Sequence, residues 1–424
     1  MRDYRDLAAL LLTTFVSWFG QRLTAVALPL VALAATGSAG STGLVAGAAG
    51  LPLVTAGWWA GPLRRRVTTG RSLSVTLAAQ AAGLLIVPVA ALLGRVTVVP
   101  LIAGGLFAGV AAAVAGPARQ ALTADLADRI GPGTAARALA WQDLAHRASM
   151  VIAPPLAAAA VAAGHTNALL WSESAGIAVA SALLSAVRGD PAPARAATPA
   201  RVRVPAAASV PAPVPAPEPA ASLRAVWRRH PDLRRVLVMS AAAGLVWFAF
   251  TLGLTVLGAG SGRPGVLIAA GMTGYGAGSI AGALLAPLLT TRLPALPTAA
   301  AGWIILGLAF IAIAAAAGSV PLIAGCAAIG GAVVPFGIAA ANTLISTRTA
   351  GAERRAAFAA ESILHDGSAT LGMLLGGPLI ALAGPRPTLL AAGLLQIAVA
   401  LPVLLTARRE VTGRGCPPPV TGPA

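Results

Sequence analysis

Twelve stretches of this sequence are long and apolar enough to cross a bilayer, and mostly short polar joints separate them. About 18 consecutive apolar residues mark a membrane span. Splitting at Gly, Pro and Arg clusters places spans at 7–34, 42–63, 73–93, 97–121, 140–163 and 168–187, then at 236–258, 265–290, 297–317, 320–346, 359–383 and 388–407. In lipid, a backbone must satisfy its own hydrogen bonds, so such runs become helices. The chain is 57% hydrophobic and 10% charged, against about 45–50% and about 25% in soluble domains. The expectation is an all-α membrane protein with twelve transmembrane helices in two six-helix halves.

One long polar seam interrupts the pattern near the middle of the chain. It holds a Pro/Ala tract and then an Arg-rich stretch with Trp227. The organisation read from this is a first half over 1–187, a linker over 188–235, a second half over 236–407 and a tail over 408–424. Leu223 and Trp227 stand four apart among arginines, so residues 222–235 are expected to form an amphipathic helix on the membrane surface. The tract before it reads as a flexible tether. The apolar stretch from Leu7 is far longer than a signal-peptide core, so it reads as a retained span.

Arginine sets the topology. All 30 basic residues are Arg. With the N-terminus inside, 24 of them fall on inner segments, three (Arg95, Arg263, Arg386) on outer joints and three (Arg22, Arg119, Arg147) within spans. That bias is the positive-inside pattern, with both termini cytosolic. The net charge of +17 is therefore topological, and the arginines form no basic domain with interleaved aromatics that would bind nucleic acid. An Ala-, Gly- and Arg-rich, Lys-free composition suggests a GC-rich bacterium and its plasma membrane. Neither Cys326 nor Cys416 indicates a disulfide or a metal site.

A shift of 223 residues aligns Asp143 with Asp366, Pro155 with Pro378 and Leu156 with Leu379. These lie in the fifth and eleventh spans, as a duplicated six-helix unit would place them. Glycine stripes on spans two, eight and eleven allow close backbone approach. Any one pair reads as static packing; together they suit surfaces that slide or rock.

Charged groups inside a span cost about 2.5–3.5 kcal/mol, so each needs a reason. Arg22 lies mid-span beside Gln21 and one turn after Trp18. A central polar cavity or a buried structural pair would each accommodate it. Arg119 at the end of span four fits either snorkelling to the headgroups or a functional role. Asp143, His146 and Arg147 share a face of span five; an intrahelical ion pair and a proton path are both open. Glu361, His365 and Asp366 gather near the inner end of span eleven, either as a relay or in headgroup water. Glu173 beside Trp171 reads as interfacial, and Asn342, Gln80 and Tyr275 as helix–helix hydrogen bonds. No Gly-Lys-Ser/Thr phosphate loop, zinc spacing or nucleophilic triad is present. No cofactor, metal or catalytic residue is expected.

The six-plus-six plan with a basic central loop resembles the major facilitator superfamily. Gly61-Pro-Leu63-Arg-Arg65-Arg66 through Arg71 lies where that family has a Gly-x-Leu-Ala-Asp-Arg-x-Gly-Arg-Arg loop. Gly61, Leu63, Arg66 and Arg71 match; Arg65 replaces the usual Asp and Thr68 the second Gly. The resemblance implies a conformational latch here, with Arg66 meeting Asp125 or Asp128. Phe19-Gly20-Gln21-Arg22-Leu23, Ala27-Leu28-Pro29-Leu30 and the run from Leu223 to Arg235 resemble the macrolide-efflux-like, drug–proton antiporter branch. By that resemblance spans one, four, seven and ten line a cavity, which places Trp18, Gln21, Arg22, Trp247, Phe336 and Asn342 near a small amphipathic substrate. The coupling ion would be the proton, the direction export and the working unit a monomer. A proton-coupled importer or facilitator is the rival within the class. A membrane sensor or integral-membrane enzyme is the rival outside it.

Overall fold

The computed structural model describes residues 2–131, 134–187, 227–289, 293–316, 318–349 and 351–413. Twelve helices among the described residues are long and apolar enough to span a membrane. They are α1 (Arg2–Thr36), α2 (Ala39–Arg66), α3 (Gly70–Leu92), α4 (Val98–Ile130), α5 (Thr134–Ala162) and α6 (Thr166–Ser185) in the first half. The second half holds α7 (Pro231–Gly260), α8 (Val266–Leu289), α9 (Ala295–Ala315), α10 (Val320–Arg348), α11 (Gly351–Ala383) and α12 (Pro385–Gly413). The span α3 breaks once, at Leu85.

Local chemistry sets the ends. Gly37 takes φ +64° after α1, and Ser38 then caps α2 by accepting from the Ser41 N–H. Thr69 and Ser72 form a reciprocal capping box at the start of α3. Several helices outrun the apolar windows at the face where α1 begins and α12 ends. Hydropathy marks the hydrocarbon layer, whereas backbone hydrogen bonding continues beyond it into polar turns.

The seam is described only in part. Residues 188–226 lie outside the described residues, including the tether and the first part of the expected surface helix. Among the described residues Trp227, Arg228 and Arg229 are helical, and that helix stops at His230. Pro231 then opens α7, so residues 231–235 belong to that span and not to a separate amphipathic helix. Charges fix this entry: His230 meets Glu353 at 3.2 Å, and Asp232 meets Arg348 at 3.3 Å.

The two halves repeat one packing scheme. The pair α2–α4 corresponds to α8–α10, α3–α6 to α9–α12, and α1–α5 to α7–α11. Small residues make these pairs close. A Cβ added at Gly274, Gly278 or Gly282 on α8 would come within about 2 Å of the carbonyl oxygens of Ala324, Ala328 or Ala332 on α10. That stripe thus packs within its own half and is not a sliding surface: glycine spacing makes a helix face smooth without choosing its neighbour. On α3 and α6, the Ser74 and Ser181 hydroxyls each donate to the other residue's carbonyl, at 2.7 and 2.8 Å.

The halves meet through α2 against α11 and α5 against α8. Gly43 faces Gly377, Gly47 faces Leu374 and Gly50 faces Thr370. Here the stripes on α2 and α11 do cross the boundary. On α5, Pro155 supplies no N–H for the Val151 carbonyl, and Thr273 of α8 donates to that oxygen at 3.4 Å.

Both interfaces are one-sided. The α2–α11 approach runs from Gly40 beside Pro378 to Val54 beside Gly367; one turn on, a Cβ at Gly57 would have nothing within 4 Å. The α5–α8 approach runs from Val161 beside Gly265 to Arg147 beside Ser279. Beyond it, Leu139 and Asp143 line a cavity. The halves are therefore closed at the face opposite the chain ends and parted at the face that carries them.

Candidate functional site

Between the halves lies a cavity of about 310 Å³, at the small end of the usual ligand-site range. Gln21, Arg22, Thr24, Leu28 and Glu173 line it from the first half, and Trp247, Thr251, Met272 and Met373 from the second. Most of its wall is apolar. Trp247 belongs to an aromatic cluster in the second half, with Tyr275 and Phe250 at ring-centroid distances of 5.2 Å each.

Arg22 reaches this cavity from α1. One of its terminal nitrogens lies 3.3 Å from His146 Nε2 on α5. Its Nε has no hydrogen-bond partner among the described residues, and the Tyr275 hydroxyl lies within electrostatic range. Trp18, one turn earlier, stacks edge-on against His146 with centroids 4.7 Å apart. Trp18 lines a second cavity of about 480 Å³ towards the open face, shared with Gln120, Gln142, Asp143 and His146. The residues singled out on spans one and five thus converge on one site.

Asp143 and Arg147 form the intrahelical ion pair, at 2.7 Å. Arg147 also crosses the boundary: it donates to the Ser279 hydroxyl and, at 3.4 Å, to the Ser279 carbonyl on α8. Tyr275 lies within electrostatic range of both Arg22 and Arg147. A carboxylate that faces a cavity therefore touches the guanidinium that ties the halves together.

Other expected residues lie elsewhere. Arg119 does not snorkel; it is 6% exposed, and its Nε has no partner among the described residues. Phe336 is half-buried and Asn342 exposed on α10, and neither lines the central cavity. In span eleven, Glu361 and His365 meet through Ser240 of α7, whose hydroxyl donates to Glu361 at 2.8 Å and lies 3.4 Å from His365 Nδ1. Asp366 is apart from them, exposed and bonded to Ser362 at 3.0 Å.

The α2–α3 loop departs from the expected latch. Arg66 and Arg71 are exposed, and among the described residues Arg66 makes no ion pair with Asp125 or Asp128. Gly61 and Leu63 belong to the last turns of α2, and the Arg65 side chain lies outside the described residues. Arg64 makes the contact instead. Pro117 leaves the Ala113 carbonyl of α4 without its helical donor, and Arg64 donates to that oxygen through two nitrogens, at 3.0 and 2.8 Å. Asp125 shares the small pocket beside it. Only the folded chain shows that a proline-freed acceptor stands opposite Arg64.

Glu173 is the other residue missed. It is 4% exposed and lines the central cavity, so it is not interfacial. A Cβ at Gly20 of α1 would lie 3.2 Å from its Cγ, and Thr24 stands beside its carboxyl. It is the eighth residue of α6, about 10 Å along the helix. Counting depth from the start of the span, instead of from the neighbouring Trp171, would have found it. No three His, Cys, Asp or Glu side chains gather as metal ligands among the described residues.

Solved structures share this architecture. The nucleoside transporter NupG superposes with a TM-score of 0.70 at 12% identity, covering 95% of this chain and 99% of its own. A bacterial homolog of the human lysosomal transporter Spinster, in an inward-facing and unoccupied conformation, gives 0.68 at 15% identity over 98% and 99%. A POT family transporter in complex with 5-aminolevulinic acid gives 0.68 at 12% identity over 96% of each chain. No curated protein sequence matches. Residues 10–272 match the sequence pattern of the Major Facilitator Superfamily; that is more than half of the chain, and the chain belongs to that superfamily.

Proposed function

We propose that this protein is a secondary transporter of a bacterial plasma membrane that exports a small amphipathic organic molecule in exchange for protons. The observation that carries this reading is the central cavity. Both halves line it, its walls are apolar around a fixed Arg22, and the bundle closes on one side of it only. Such a site suits alternating access, in which the halves rock about a midplane ligand. The arginine bias supports a cytosolic open face, with both termini there; in this reading the conformation is inward-open and loads its substrate from the cell. One chain supplies both halves, and the working unit is a monomer.

The α1–α5 cluster supplies the coupling. Asp143 faces the open cavity and pairs with Arg147, and Arg147 holds Ser279 across the boundary. A proton delivered to Asp143 removes its charge and frees Arg147 to change partners, which loosens the cross-half tie. His146 lies between this pair and Arg22. Buried or half-buried ionisable groups within spans are the usual parts of such relays.

Everted membrane vesicles with an imposed pH gradient test the reading. Gradient-driven accumulation of amphipathic antibiotics is expected, and Arg22→Ala should lower it at least tenfold while membrane insertion stays normal. Absence of any gradient-dependent flux across a panel of such compounds would defeat the antiporter reading. Flux in the opposite sense would make the protein an importer.

A further inference from the structure

The two ionisable groups that line the central cavity do not pair with each other. Helix geometry explains why. Gly20 of α1 packs on Glu173 of α6. Thr24, four residues on, lies on the same side of α1 and stands beside the Glu173 carboxyl. Arg22 is two residues from Gly20, about 200° round the helix, and turns to His146 of α5. Helix α1 thus holds the α6 carboxyl on one flank and its own guanidinium on the other, and both border the same cavity.

Each group also lacks a full partner. Glu173 is 4% exposed and has no cation within ion-pair distance among the described residues. The Arg22 Nε is buried with no hydrogen bond. Removing an ionised group from water costs several kcal/mol unless another group compensates. A purely apolar ligand would displace cavity water and leave the Glu173 carboxyl and the cavity side of the Arg22 guanidinium dry, whereas a ligand with matching groups would satisfy both. Sites built around buried polar groups reject analogues that lack the matching atoms more sharply than apolar pockets reject a missing methylene.

We infer that the central cavity takes a dipolar amphiphile: a basic amine directed to Glu173, an oxygen acceptor directed to the Arg22 guanidinium, and an apolar body against Trp247 and Met272. This rests on the cavity being the substrate site proposed above, and it narrows the substrate class to molecules with both groups. The acceptor is a carbonyl or a carboxylate, which present the same oxygen to a guanidinium.

Binding to the purified full-length protein in lipid nanodiscs, followed by titration calorimetry, tests it with matched probes. Phenylalanine naphthylamide carries an amine and a carbonyl; its N-acetyl derivative keeps only carbonyls; a naphthylalkylamine of equal length keeps only the amine. Phenylalanine naphthylamide is expected to bind about 10- to 100-fold more tightly than either, the factor for a hydrogen bond to a charged group. Phenylalanine itself, run alongside, tells whether a carboxylate replaces the amide carbonyl. Glu173→Gln should abolish the preference over the N-acetyl form, and Arg22→Gln the preference over the alkylamine. Equal binding of the three probes, or no saturable binding of the amine-bearing pair, would overturn the inference, and this ranking on the unmodified protein needs no variant to fold. If the ranking holds and vesicle flux is absent, transport fails and the ligand class stands. If gradient-driven flux is indifferent to the amine, the reverse is true.

Discussion

The helix pairs α1–α5 and α7–α11 occupy equivalent places in the two halves, yet they are built from different material. At α1–α5 the contacts are side chain to side chain: Arg22 and Trp18 on His146. At α7–α11 a side-chain contact, Ser240 on Glu361, sits beside much closer helix packing at glycines. A Cβ at Gly372 would lie 2.1 Å from the Leu245 carbonyl, and one at Gly376 would lie 2.0 Å from the Phe248 ring. More of α7 is buried than of any other span. One duplicated architecture thus divides its labour. The first half supplies both ionisable groups of the central cavity, Arg22 and Glu173, and the second supplies a tightly fitted body.

The contrast breaks most readily at Gly372. Gly372→Val has no room against Leu245 and should cost about 3 kcal/mol or more, read as a lowered Tm and poor recovery from detergent. Gly57→Val, where nothing lies within 4 Å, is the control; equal damage at both positions would remove the distinction. The next effect belongs to the α2–α4 contact. Arg64→Ala leaves the Ala113 carbonyl unpaired and should cost about 1.5–3 kcal/mol, as loss of a charged hydrogen bond does. Arg66→Ala should stay within about 0.5 kcal/mol. The reverse order in thermal unfolding would restore Arg66 to the latch.

A smaller effect is expected at the boundary. Ser279→Ala removes the hydroxyl that Arg147 holds across the boundary and keeps the carbonyl; the lost bond is worth about 1 kcal/mol or about a fivefold change in the ratio of the two conformations. Spin-label distances across α5 and α8 at the open face report that ratio; an unchanged distribution would show that Arg147 does not bias it. Smallest of all, Glu361→Gln should leave proton-driven flux within about twofold. Its hydrogen bond to Ser240 stays inside the second half and lies apart from the cavity. A large loss there would move coupling to α11.

The spans were legible in the sequence because the solvent for most of the chain is lipid, and apolar length answers to lipid directly. Arg22 and Arg147 were legible for the same reason: a charge inside an apolar run stands out. What stayed hidden depends on neighbours. Glu173 sits close to Trp171 along the chain; its depth could be counted from the start of the span, but the side it faces shows only in the contact of α6 with Gly20. Arg64 and Arg66 look alike in sequence, and the choice between them is made by Pro117 on another helix. The α8 glycines promised a smooth face and could not say that α10 would occupy it.

The Val151 carbonyl carries a consequence for rate. Because Pro155 removes its helical donor, this oxygen has no partner from its own ladder and takes Thr273 across the boundary instead. In the proposed rocking, as α5 and α8 part, incoming water can replace the Thr273 hydroxyl at little enthalpic cost. The barrier to separation at this point is one exchange of hydrogen-bond partners and does not include a broken helix turn. In that motion the proline would act as a lubricant: it supplies an acceptor that Thr273 satisfies in the closed state and water would satisfy in the open one.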